Sequence, residues 1–136
     1  MGTRSITTII DNQFGRKAKI LTMYRQFDGY PSWHGKELAV FLNHMQLCNG
    51  LGGKAPKGKV WANGAGCLGA QMLKYFKEEP GGIYVTAPRV KLEDEDYSYV
   101  VTVTEELKMH IEVRDYTRKI FDGTLEEFGV FCNKEG

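Results

Sequence analysis

YSYVVTVTEELKMHIEVRD, residues 97–115, decides the fold class. Its first half puts Tyr97, Tyr99, Val101 and Val103 on one side of an extended chain, because successive strand side chains point to opposite faces. Its second half repeats the alternation with Met109, Ile111 and Val113. Glu105 and Glu106 fall between the two runs, where a solvated turn belongs. The stretch therefore predicts an antiparallel hairpin with one apolar face.

The same reading extends outward. TRSITTIID, residues 3–11, is rich in β-branched side chains and predicts a strand. DNQFGRKA turns the chain, and KILTMYRQF, residues 19–27, predicts its hairpin partner, with Leu21, Met23, Arg25 and Phe27 on one face. IYVTA and KIFDG add short strands. Helical spacing appears over residues 35–48, where Leu38, Phe41, Leu42 and Met45 form an apolar stripe and Ser32 is the expected cap. It recurs over 67–77 with Leu68, Met72, Leu73 and Phe76, and EEPGG ends that helix because proline cannot continue it. A brief last helix is expected over 124–131, capped by Thr124. Residues 49–66 are glycine-rich and read as a long connection. The order ββααβββ(β)α predicts one α+β domain over residues 1–136: an antiparallel sheet with two main helices packed on one face.

Composition narrows the function classes. The 136 residues suit one core. No apolar run is long enough to span a bilayer, and MGTRSITTII does not read as a secretory leader, so cytoplasmic residence is expected. Cys48, Cys67 and Cys132 are odd in number and widely spaced, which predicts reduced thiols rather than disulfides or zinc. His34, His44 and His110 lack metal-ligand spacing, so neither a metal nor a cofactor is expected. The net charge of +1 is too small for a dedicated duplex DNA binder. It hides an asymmetry: residues 1–74 carry ten Lys or Arg against three Asp or Glu, and residues 75–136 carry eight against fourteen. An anionic ligand is expected to favour the first half. The same asymmetry, with the apolar face of YSYVVTVT, predicts a homodimer or higher homo-oligomer.

Two phosphate-type motifs fail on context. GKAPKGK, residues 53–59, follows a helix and is followed by Val60, where a P-loop needs Ser or Thr and a helix. GAGCLG, residues 64–69, opens a helix but lacks the parallel βαβ unit and the downstream acid of a dinucleotide fold. What survives is the glycine-rich entry itself. Gly64 and Gly66 are candidate anion-binding positions through exposed helix-terminal amides. Glycines that only allow close packing are the alternative.

The leading site is RQFDGYPSWHGKEL, residues 25–38. Turns on a rigid frame tend to carry function. Arg4 and Arg25 offer planar donors for phosphate or carboxylate. Tyr30 and Trp33 offer faces on which a base can stack. Gln26, Asp28 and His34 are the candidates for reading hydroxyl or base edges. No residue is expected to be catalytic, because no nucleophile, base and orienting group occur together. Asp28-Gly29 and Tyr30-Pro31 also serve as turn chemistry with no ligand at all.

Through MGTRSITTII, MYRQFDGYPSWHGKELAVFLN and CLGAQMLKYFK…GGIYV…FDGTLEEF the chain resembles a group of small uncharacterised proteins encoded by bacteriophages and related bacterial regions. The resemblance implies a phage accessory role, by analogy of size that of a counter-defence sponge for nucleotide signals. The expected function is thus non-catalytic sequestration of a small anionic nucleotide-like ligand. The alternatives are a nucleotide or phosphodiester hydrolase using His34 with Asp28, and a protein-binding inhibitor of a host enzyme docking through its Tyr and Trp surface.

Overall fold

The computed structural model describes residues 2–116 and 118–135; the end residues Met1 and Gly136, and Thr117, lie outside the described residues. Strands β1 (Ser5–Asp11) and β2 (Ala18–Arg25) form the predicted N-terminal hairpin. A five-residue π-type turn, Pro31–Gly35, runs directly into helix α1 (Lys36–Asn43). Strands β3 (Met45–Cys48) and β4 (Val60–Asn63), helix α2 (Gly64–Phe76) and strand β5 (Ile83–Thr86) follow. Strands β6 (Tyr97–Val103), β7 (Met109–Asp115) and β8 (Arg118–Thr124) precede helix α3 (Leu125–Glu135).

The main sheet has six strands in the order β5-β2-β1-β6-β7-β8. Every neighbouring pair is antiparallel except β1 and β6, which run parallel. That exception follows from connectivity. β5 runs parallel to β1, so the ten-residue segment between Thr86 and Tyr97 must cross β2 and β1 to place β6 on the far side. The chain is therefore α+β with a mostly antiparallel sheet, and its helices pack on one face.

The helix-facing side carries Ile9, Met23, Tyr99, Val101, Val103, Ile111 and Val113, all buried against Leu38, Phe41, Leu42, Leu68, Met72 and Phe128. Tyr99, Val101 and Val103 are fully covered within the chain. Three of the four residues on the apolar face of YSYVVTVT are thus covered by the chain's own helices, and Tyr97 is half-buried.

The opposite face is closed by the segment between β5 and β6, which acts as a strap. Thr8 Oγ1 donates to the carbonyl of Arg89, and the Arg89 amide donates to Thr22 Oγ1 at 2.9 Å. Arg89 clamps Glu95 with two bonds, at 3.0 and 2.6 Å, and the Glu95 side chain is only 3% exposed. Burial pushes the Glu95 carboxyl up, but the Arg89 guanidinium and the backbone N–H of Glu93 outweigh it and hold it at about 2. Beneath the strap Ile6, Thr8, Thr22, Ser98 and Val100 are buried.

Two expected boundaries move. The helix expected over 35–48 stops at Asn43, where Asn43 Nδ2 and His44 Nδ1 donate back to the carbonyls of Ala39 and Val40, each at 2.8 Å. Residues 45–48 instead pair in parallel with β4, which buries Leu47 against the core beside Ala62. Ser32 does not cap α1, because the π-type turn continues into it without a break and no side chain caps either start. The long connection is shorter than expected, since β4 forms at Val60 and α2 begins at Gly64. Thr124 does cap the last helix: Glu127 N donates to Thr124 Oγ1 at 3.2 Å, and Thr124 N donates to Glu127 Oε1 at 2.9 Å. This reciprocal pair satisfies two orphan amides at once.

Candidate functional site

The turn after β2 is built by its own polar groups. Gln26 N donates to Gly82 O at 2.8 Å and prolongs the β2–β5 ladder. Asp28 takes a left-handed φ of 61°, and its carbonyl accepts from the His34 amide at 3.1 Å. The Gly29 amide donates to Thr3 O at 2.9 Å, and its carbonyl accepts from the Tyr99 hydroxyl at 2.7 Å. A side chain at Gly29 would meet Ser5 Cβ at 2.7 Å, and one at Gly35 would meet Cys132 Sγ at the same distance. Both glycines are therefore dictated by close approach. The Tyr30 carbonyl accepts from the Trp33 amide at 3.0 Å.

At the centre lies His34, wholly buried between Thr7, Arg25, Phe76 and Tyr99. Arg25 Nη1 donates to His34 Nδ1 at 3.1 Å, so Nδ1 must accept. The ring proton then sits on Nε2, which donates to Thr7 Oγ1 at 2.8 Å. Burial, and secondarily the neighbouring Arg25 charge, push the imidazole down to about 3. His34 is a neutral, enclosed structural base. The ring is wholly enclosed, and its nitrogens face Arg25 and Thr7 rather than Asp28.

Arg25 forms the floor of an opening onto this cluster. Its Nε donates to Phe27 O at 2.7 Å and its Nη1 to Glu37 Oε1 at 2.5 Å. Its guanidinium lies 5.9 Å from the Phe76 ring centre. Above it opens a cleft of about 490 Å³, the size of a small-ligand site. Phe27, Trp33 and Tyr75 form aromatic walls; Trp33 is 50% and Phe27 52% exposed. Asp28, Glu37, Glu78 and Glu79 supply carboxylates. The lining thus carries four acidic side chains against one guanidinium, the reverse of the charge expected from the N-terminal half.

The candidate residues do not all converge. Arg25, Asp28 and Trp33 line the cleft, and His34 lies beneath it. Gln26 and Tyr30 belong to the same turn and contribute the backbone bonds above. Arg4 is on the other face of the sheet, where Nη1 meets Asp94 at 3.2 Å and Nη2 donates to Asp94 O at 2.6 Å. It fastens the strap and does not join Arg25. Gly64 and Gly66 begin α2, whose far end supplies Phe76 to the cleft. A thirteen-residue helix separates the two places by about 18 Å. Tyr75, Glu78 and Glu79 lie outside the 25–38 stretch, and Glu37, within it, is not among the candidate residues. Glu78 and Glu79 sit in the EEPGG helix stop, whose turn chemistry masks any other role.

Among the described residues no group of His, Cys, Asp and Glu could hold a metal ion. No helix among them is long and apolar enough to cross a membrane. No family model, curated protein or solved structure matches this chain.

Proposed function

We propose that this protein is a non-catalytic binding protein that captures a small ligand bearing a planar ring in the cleft above Arg25. The accessory, sequestering role implied by the phage-type resemblance is kept in this reading. The observation that carries it is the pairing of an open cleft with half-exposed Trp33 and Phe27 rings over a floor whose Arg25 Nε and Nη1 donors are already engaged. Exposed aromatic rings of this size are costly to leave in water and favour a flat partner. His34 is sealed in the core and Arg25 is held by Glu37, so neither is free to act on such a partner. A nucleobase or similar ring fits this lining, whereas its phosphate would face Asp28, Glu37, Glu78 and Glu79. The ring therefore carries the recognition and the phosphate does not.

The test is to denature the purified protein and identify released small molecules by mass spectrometry, then return each to the protein. A ring-bearing compound that binds, is recovered unchanged after long incubation, and loses affinity in Trp33→Ala supports the reading. Steady conversion of that compound by catalytic amounts of protein would overturn it.

A further inference from the structure

The electrostatics of the cleft select among ring-bearing ligands. Resting on the reading that this cleft is the ligand site, we propose that its ligand is a small organic cation: an amidinium, guanidinium or ammonium carried on a flat apolar body. Four observations converge on that class. Asp28, Glu78 and Glu79 line the cleft, and none of them has an ion pair among the described residues. The positive charges at the cleft are already engaged, Arg25 by Glu37 at 2.5 Å and, at its edge, Lys77 by the carbonyls of Gly81 and Ile83. Helix α2 ends at Phe76 in the cleft wall, so the negative end of its dipole adds to the carboxylates.

The fourth observation is independent of the acids. The protein's own cations around this cleft are already held against rings. The Arg25 guanidinium lies 5.9 Å from the Phe76 centre, and the Lys77 ammonium lies 5.4 Å from the Tyr84 centre. Lys77 is also held by the carbonyls of Gly81 and Ile83, at 3.1 and 2.7 Å. Trp33 and Phe27 bring two further half-exposed rings to the same cleft, beside its carboxylates. A cation over an aromatic face gains from the ring quadrupole, most strongly for Trp.

Three isosteric probes separate ring from charge: benzamidine, benzamide and benzoate. Binding is followed by the two indole N–H signals in nitrogen-15 NMR. Trp33 reports the cleft, and Trp61, whose indole donates to Gly53 O, is the internal control. Benzamidine is expected to move the Trp33 signal alone, to bind more tightly than benzamide, and to leave benzoate without effect. The double variant Glu78→Gln/Glu79→Gln is expected to weaken benzamidine roughly three- to tenfold. Its melting temperature should stay unchanged, since both residues are exposed. Benzoate or benzamide binding as tightly as benzamidine would overturn the cationic class and leave the ring-binding cleft standing. No Trp33 response to any of the three would overturn the cleft itself as a ring site. An arginine-containing peptide that binds where benzamidine does not would overturn the small-molecule form of the proposal.

Discussion

Acid should destabilise this protein well above the pH at which its carboxylates begin to protonate, and His34 is the reason. The folded chain holds the imidazole at about 3, against an ordinary value of 6.5. Between those two values the unfolded chain binds a proton that the folded chain refuses, so stability falls as pH falls. Above pH 6.5 both states are neutral and the contribution is fully present. Each pH unit below that is worth about 1.4 kcal/mol, so pH 5 costs roughly 2 kcal/mol and the whole window roughly 5 kcal/mol. Total stability for a domain of this size is about 5–15 kcal/mol, so the effect is large. Glu95 adds its own loss only below its ordinary value of 4.5, ending near 2, and leaves the upper part of the window to His34. Urea denaturation at half-unit steps from pH 7.5 to 4.5 measures the slope. His34→Gln keeps an acceptor for Arg25 and a donor for Thr7 but cannot titrate, so its profile should be flat where the wild type falls. His44 and His110 are exposed and remain in the variant as controls. A wild-type profile flat from pH 7 to 5, or an equal slope in the variant, would refute the argument.

Arg89→Ala leaves the Glu95 carboxylate buried without its partner and should cost about 3–5 kcal/mol by chemical denaturation. Gly29→Ala forces a methyl group toward Ser5 and the Arg4 backbone and should cost about 1–3 kcal/mol, while Gly52→Ala, with open space around it, should leave the melting temperature unchanged. Thr124→Ala removes one half of a reciprocal cap and should cost about 1 kcal/mol, with hydrogen exchange accelerated in the first turn of α3 before other helices. Arg25→Ala strands His34 Nδ1 in the core, so it should lower the melting temperature of the ligand-free protein; a loss of ligand affinity with unchanged melting would contradict this.

Strand periodicity was legible because a sheet with one buried face writes itself in alternation. Tyr99, Val101, Ile111 and Val113 sit where that alternation puts them. The parallel β1–β6 pair was illegible, since nothing in either strand records which edge of β1 receives its neighbour. That choice is made by the strap, whose acids Asp94 and Glu95 become partners for Arg4 and Arg89 only in the fold. At Met45 the helical stripe continued into a strand, because one apolar residue in every three or four fits both periods over so short a stretch. The turn at residues 25–38 is legible as a concentration of polar and aromatic groups. Part of its polar equipment is spent on folding: Gly29, His34 and Arg25 hold β1, β6 and α2 together. Sequence marks a group as capable of hydrogen bonding but does not say whether the partner lies within the chain. Two of the cleft's four acids, Glu78 and Glu79, arrive from the end of α2, some forty residues farther along, and join Asp28 and Glu37 only through packing.

The strap that closes the back of the sheet also sets a timetable for synthesis. β1 and β2 can pair as soon as both have left the ribosome, but the other edge of β1 must wait for β6, some ninety residues later. Throughout that interval SITTIID presents a bare edge rich in β-branched residues and carrying one charged side chain, the kind of segment that recruits strands from neighbouring chains. Completion of β6 and seating of Arg89 over Thr8 and Thr22 end the exposure together. Slow translation between residues 25 and 97 would lengthen this window and raise the fraction lost to aggregation, even though the finished protein buries Ile6 and Ile9 completely.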